Sequence, residues 1–257
     1  MGVDGSDAGI AAALWAVDEA VTRDVPLLLM SVIKATHPTP DDYYEDVHHA
    51  EAALSAAQKA VESTGQPVKL ETAVASGQPA GVLIARSSDA HMVCVGSAGI
   101  DGFTRSILGS TAADLAEKAQ CPVAVIRPPR DDPSGATAWI VVPFENAPAD
   151  DAVIEQAMRE AKLRRLPVLL LGRKIRPTDA HDALGRVVEG LRSQHPDVHV
   201  YPISDRADIA RFLREHDDPF RLAVIGGADA KEVPRILGAH DHPGSPSHGV
   251  SVLVVRP

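Results

Sequence analysis

The chain has 257 residues, 45% of them hydrophobic and 23% charged, with a formal net charge of −10. This length allows one large domain or two ordinary ones with real cores, and the dispersed acidic balance argues against a nucleic-acid or anionic-membrane surface. The two cysteines are too few for a disulfide framework, no apolar run approaches a membrane span and no signal peptide opens the chain, so the expectation is a soluble cytoplasmic protein.

In chain order, Gly2-Val3-Asp4-Gly5-Ser6 reads as the end of a strand entering a helix. On that helix Leu14, Val17 and Val21 fall at i, i+3 and i+7. A basic turn and Pro26 lead into an apolar strand around residues 27–33. Asp41, Asp42, Glu45 and Asp46, around Tyr43 and Tyr44, read as a solvated patch, with a partner-binding surface as the alternative, and His48-His49 as a solvent face. Ala50, Ala53, Leu54, Ala57 and Val61 form a second helical stripe. Val68, Leu70, Thr72 and Val74 alternate with Lys69 and Glu71, as in an edge strand exposed on one face. The runs around 91–96 and 122–127 are continuously apolar, the pattern of parallel strands covered on both faces by helices. Cys94 and Cys121 fall on these runs and read as buried thiols, not a redox pair.

The second half echoes the first. Residues 21–29 match 162–170 through Pro26 and Pro167, Val93–Gly96 matches Val224–Gly226, Ile107–Gly109 matches Ile236–Gly238, and Val123–Pro128 matches Val252–Pro257. The expected organisation is an N-terminal domain over 1–130, a polar Pro/Gly linker over 131–137 and a C-terminal domain over 138–257. Each is expected to be a doubly wound α/β domain with a five-stranded parallel sheet. The second copy has a full first strand at Trp139–Pro143, whereas the first has only Met1-Gly2 ahead of the matching point. The first strand of such a fold lies inside the sheet, so the expectation is a chain that begins late by roughly four to eight residues, about one strand.

Residues 96–111 carry the chemistry. They read G-x2-G-x9-G-S, from Gly96 and Gly99 to Gly109-Ser110-Thr111, between a strand-like run and a helix-like one. Glycine permits close approach of the backbone to an anion and positive φ. The unpaired amides at a helix start sit at the positive end of its dipole. Together they describe a phosphate cradle built mostly of main-chain donors. Ser110 and Thr111 could equally cap the helix, and Arg105 either reaches a phosphate or pairs with Asp101 in solvent. Asp4 stands where a carboxylate faces the ligand crevice of an α/β fold, its alternative being a helix cap or first-turn acid.

This pattern resembles the universal stress protein family, in its tandem, actinobacterial type and its ATP-binding branch. The match rests on residues 2–6, the glycine motif and the strand Cys121–Arg127, and it runs over nearly the whole chain. The resemblance implies a Rossmann-like fold of the adenine nucleotide hydrolase type. It also implies ATP, with Mg²⁺, as the ligand. Val3 and Asp4 would lie at the ribose or adenine, the backbone at Val32 and Ile33 at the adenine edge, and Gly96, Ala98, Gly99, Gly109, Ser110 and Thr111 at ribose and phosphates, with Arg105 nearby. It further implies pairing of last strands, either between Val123–Ile126 and Val252–Val255 of one chain or in a homodimer.

The second copy departs from the pattern. Glu145 replaces Asp4, Asp229 stands for Gly99, and Ala239-His240 replace Ser110-Thr111. A carboxylate in a phosphate cradle repels the ligand, so one ATP per chain is expected. His240, His242 and His248 near Asp241 read as a solvated loop rather than a metal site. No base, arginine finger or phosphate-directed lysine is evident, which favours a regulatory, stress-response nucleotide binder over an enzyme. The alternatives are a slow ATP hydrolase or adenylyl-transferring enzyme, and an interaction scaffold that binds no nucleotide.

Overall fold

The computed structural model describes residues 1–99, 108–128, 137–172, 177–205, 208–216, 218–238 and 249–256. Arg105, most of the linker and the 240–248 histidine segment lie outside them. The chain divides into two compact units, Met1–Pro128 and Pro129–Pro257.

Unit 1 runs α1 (Asp7–Arg23), β1 (Leu27–Ile33), α2 (Pro40–Ser63), β2 (Leu70–Ser76), α3 (Pro79–Arg86), β3 (Val93–Gly96), α4 (Ser110–Lys118) and β4 (Val123–Ile126). β1 pairs with β2, and β3 with β4, both in parallel. Residues 1–3 join the two pairs. Met30 N–H donates to Met1 C=O at 2.9 Å, Val3 N–H to Met30 C=O at 2.9 Å, and Gly2 N–H to Cys94 C=O at 3.0 Å. Three residues thus hold the place of a first strand, and the chain reverses its winding there.

Unit 2 runs β5 (Trp139–Phe144), α5 (Asp150–Arg164), β6 (Val168–Gly172), α6 (Pro177–Gln194), β7 (Val200–Ser204), α7 (Ile209–Glu215), β8 (Phe220–Gly226), α8 (Val233–Leu237) and β9 (Ser251–Val255). Its five strands form a parallel sheet in the order β9-β8-β5-β6-β7. Both units are α/β with parallel strands, as the continuous apolar runs led us to expect. Their central strands bury nearly every side chain, including Val123–Ile126, Ile140–Val142 and Val252–Val254.

The copies also share their turns. Gly5 and Asn146 both take positive φ, 87° and 62°, where the first strand turns into a helix. Asp24 and Arg165 take φ of 52° and 54° where α1 and α5 end before the proline. Each of those helices carries a buried glutamate paired to an arginine one turn on, Glu19–Arg23 at 3.1 Å and Glu160–Arg164 at 2.9 Å.

Two local expectations are corrected. The Leu14–Val17–Val21 stripe is not the inner face of α1, because Leu14 is 38% exposed and the buried set is Ala8, Gly9, Ala12, Ala13, Ala16, Val17, Glu19 and Ala20. Close approach selects the small residues of that set. A Cβ on Gly96 would lie 2.7 Å from the Ala8 carbonyl carbon and 2.8 Å from Gly9 N, so α1 rests almost directly on the end of β3. On β2 the expected inward phase breaks down at its C-terminal half, where Val74 is 42% exposed while Ala73 and Ala75 are half-buried. As the outermost strand it is only partly covered, and its small residues take the covered positions.

Gly96→Ala should therefore destabilise the protein by about 1–3 kcal/mol, since backbone atoms, not a flexible side chain, must move. Gly185→Ala on α6, where an added Cβ meets nothing within 4 Å, should instead stabilise by about 1 kcal/mol. Urea unfolding of the two variants checks both signs.

Candidate functional site

In unit 1 the C-terminal ends of residues 1–3, β1 and β3 open onto a cavity of about 1040 Å³. This is the switch point where open α/β sheets place ligands. Val3, Asp4, Val32, Ile33, Gly96, Ala98, Gly99, Gly109, Ser110 and Thr111 all line it. Ten residues spread over 108 positions of sequence are brought to one space; Arg105 is not among the described residues.

One end of the cavity is the start of α4. Gly109 is the N-cap of α4, in extended conformation with φ −60° and ψ 142°, and no side chain caps this helix. Gly109 N–H donates to Ser97 C=O at 2.9 Å, which fixes where the loop re-enters the helix. Among the described residues, the N–H groups of Ser110, Thr111 and Ala112 have no backbone partner, the usual condition of a helix's first turn. They point with the positive end of the dipole toward the cavity. Ser110 and Thr111 occupy the first two helical positions rather than the cap, so the capping alternative for their hydroxyls does not hold.

The glycines act differently from the expectation of positive φ, which none of Gly96, Gly99 and Gly109 adopts. Gly96 is a packing glycine beneath α1. Gly99 is held by its neighbour, because a Cβ there would sit 3.1 Å from Asp4 Oδ2. Only the absence of bulk at Gly109, where an added Cβ meets nothing closer than 3.7 Å, leaves the helix start open.

Asp4 sits between the start of α4 and the strand ends. Its Oδ1 accepts from Ser6 N–H at 3.0 Å and Ser6 Oγ–H at 2.6 Å, while Oδ2 faces Gly99. Asp4 is not the cap of α1; that role belongs to Ser6, whose Oγ accepts from Gly9 N–H at 3.0 Å. Ser6 Oγ also reaches Ala98 C=O at 3.3 Å. This serine, passed over in the sequence except as part of a motif, ties the strand end, the helix start and the glycine loop together.

The other end of the cavity is the free edge of β1. Strand groups alternate in direction. Leu27 N–H bonds Lys69 C=O and Ile33 C=O accepts from Gly77 N–H, so the odd residues face β2. Met30 bonds Met1 and Val3 on the opposite edge, and Val32, two residues on, turns its N–H and C=O the same way into the cavity. Val3 is the last residue to pair, which leaves Val32 as an unfilled donor–acceptor pair. Ile33 contributes a buried side chain instead, its carbonyl being taken.

Sequence reasoning missed Asp46. It lines the cavity from α2 and is not part of a solvated acidic patch. Its Oδ2 accepts from His37 Nε2–H at 2.9 Å and lies 3.8 Å from Lys34 Nζ. The His37 hydrogen bond, with help from Lys34, holds the Asp46 carboxyl below the ordinary carboxylate value. Asp42 also has a structural task, closing a reciprocal capping box with Thr39 at the start of α2. His49, read as a solvent-facing residue, lies at the cavity rim.

Unit 2 uses the corresponding segment otherwise. Gly227–Glu232 is wound into 3₁₀ turns running directly into α8, and Val233 N–H closes on Ala230 C=O. The Arg256 guanidinium lies over Gly227, where an added Cβ would be 2.6 Å from its terminal nitrogen. Among the described residues no helix is long and apolar enough to cross a membrane, and no group of three metal-binding side chains occurs.

The family model for the universal stress protein family matches residues 1–127. Over its full length the chain is 52% identical to universal stress protein Rv2624c of Mycobacterium tuberculosis, spanning 95% of that protein. It is 37% identical to universal stress protein Rv3134c of the same organism, again over the whole chain and 94% of the relative. A crystal structure of a universal stress protein from Archaeoglobus fulgidus superposes with a TM-score of 0.70 at 17% identity, covering 99% of this chain and 94% of that one. Both units are α/β with parallel strands, and unit 1 carries a cavity at its switch point. The chain belongs to the universal stress protein family.

The Asp46 carboxyl, with its folded pKa depressed, contributes stability above the unfolded carboxylate value near ~4, and that contribution disappears as pH falls through the lower folded value. Asp46→Asn should consequently lose less stability than wild type between about pH 5 and 2, as read from melting temperatures across that range.

Proposed function

We propose that unit 1 binds an adenine nucleotide, ATP with Mg²⁺, and that the protein acts as a nucleotide-responsive regulatory protein of the stress response rather than as a dedicated enzyme. The observation that carries the reading is the pairing of two unfilled sets of main-chain groups at opposite ends of one cavity. The amides of Ser110–Ala112 suit phosphate oxygens, and the Val32 N–H and C=O suit the edge of a planar base. Asp4 Oδ2, between them, is an acceptor for ribose hydroxyls.

Charge explains why main-chain donors would matter here. With Asp4 and Asp46 on the cavity wall and a net charge of −10, an anionic ligand is disfavoured by the surrounding field. Local amide dipoles and a divalent cation must offset it. The cation would be held by the phosphates with the hydroxyls of Ser110 and Thr111 close by, and it would screen the phosphate charge from Asp4. Bound nucleotide would stabilise one surface for a partner. In unit 2 the wound glycine segment, Glu145 in place of Asp4 and the Arg256 guanidinium over Gly227 support a second domain without nucleotide, giving one ligand per chain.

Gly109→Asp separates binding from folding. An aspartate at the N-cap occupies the α4 amides with its own carboxylate, so Mg-ATP affinity should fall by at least about tenfold, ~1.4 kcal/mol. Because Asp caps a helix better than Gly, the melting temperature should not drop. Titration calorimetry of both proteins with Mg-ATP is the measurement. Undetectable binding to wild type would replace the reading with the scaffold alternative.

A further inference from the structure

The base end of the cavity carries a side chain that the main-chain cradle does not need. Lys34 follows β1 directly, and its N–H lies on the same edge as the Val32 groups because strand groups alternate. That N–H and the Lys34 ammonium both stabilise the Asp46 carboxylate. The free edge therefore presents the Val32 N–H and then the Val32 C=O, with the Asp46 carboxylate lining the same cavity 3.8 Å from Lys34 Nζ. His37 occupies Oδ2 of that carboxylate at 2.9 Å, and with Tyr43 edge-on against the His37 ring at 5.3 Å the cluster is held from the α2 side.

The order donor, acceptor, acceptor is a chemical code. Adenine offers the ring nitrogen N1 as an acceptor and an exocyclic 6-amino group with two hydrogens. N1 would take the Val32 N–H, one amino hydrogen the Val32 C=O and the other the Asp46 carboxylate. A 6-oxo purine reverses every partner: its N1–H meets an N–H, and its oxygen meets a carbonyl and an anion. An ionised carboxylate only accepts, so it cannot adapt to the 6-oxo group as a hydroxyl or amide could.

The geometry points to Asp46 as the specificity-determining residue of this site, selecting 6-amino over 6-oxo purine nucleotides. The inference rests on the nucleotide reading given above and goes further by naming the base class and the side chain that enforces it. Lys34 and His37 act as positioning residues, keeping the carboxylate charged and aimed.

The test titrates the full chain, wild type and Asp46→Asn, with the Mg²⁺ complexes of ATP, inosine triphosphate and purine riboside triphosphate, which carries only hydrogen at position 6. Wild type should prefer ATP to inosine triphosphate by more than about tenfold, the scale of hydrogen bonds to the base edge left unmade. In Asp46→Asn the preference should shrink by roughly tenfold, because an amide can turn its NH₂ toward the 6-oxo group. The purine riboside compound, which offers Asp46 no partner at position 6, should lose no affinity in Asp46→Asn and should gain whatever the removed charge opposed. An unchanged ATP-to-inosine preference in Asp46→Asn, with ATP still bound, overturns the proposal and leaves the nucleotide site standing. Equal weakening of all three ligands also overturns it, by showing that Asp46 only supports the cavity wall. Wild type that binds none of them overturns the nucleotide reading itself and this inference with it.

Discussion

The site depends on where three residues stop pairing. Met1–Val3 fill the slot between β1 and β3 with main-chain hydrogen bonds on both sides, joining the two strand pairs of unit 1. Pairing ends at Val3, one step before the edge of β1 ends. Val32 is therefore left with an N–H and a C=O that a sheet would otherwise consume, and unpaired backbone groups beside a cavity are a recognition surface with a fixed direction. Asp4 emerges at the same point. One interrupted ladder thus leaves both an unpaired strand edge and a carboxylate next to it on the cavity wall.

The second constraint is steric. α1 approaches β3 so closely that Gly96 cannot carry a side chain, and the inner face of α1 is mostly alanine. This close contact brings Ser6 within reach of both Asp4 and the Ala98 carbonyl, so hydrogen bonds tie strand end, helix start and Ala98 together. Rigidity here matters for chemistry, since a cradle of amides contributes only when its dipoles are already oriented. Gly109 completes the arrangement by starting α4 without a side-chain cap, leaving the first-turn donors available.

The two units show how one topology can keep or lose such a site. Their strands, their positive-φ turns at Gly5 and Asn146, and their helix ends at Asp24 and Arg165 correspond closely. They differ in residue type at matching positions, with Asp229 where unit 1 has Gly99 and Glu145 where it has Asp4, and unit 2 winds Gly227–Glu232 into 3₁₀ turns beneath Arg256. The fold's hydrogen bonds are indifferent to this choice, because these positions lie beyond the sheet ends. Divergence of function is therefore cheap at those positions and costly in the strands.

The sequence alone determined the repeat, the α/β class and the parallel strands, and it pointed to residues that line one cavity. Those features follow from local rules: continuous apolar runs for strands buried on both faces, and a glycine-to-hydroxyl motif between strand and helix. It misread the inner face of α1, the phase of β2 and the purpose of the motif glycines, since each depends on how near another element comes. Asp46 was hidden for the same reason: flanked by acids and tyrosines it looks solvated, and only the crossing of α2 over the end of β1 turns it inward onto His37 and Lys34. The free edge of Val32 was likewise a tertiary decision, because which strand groups remain unpaired is set by neighbours far away in the chain.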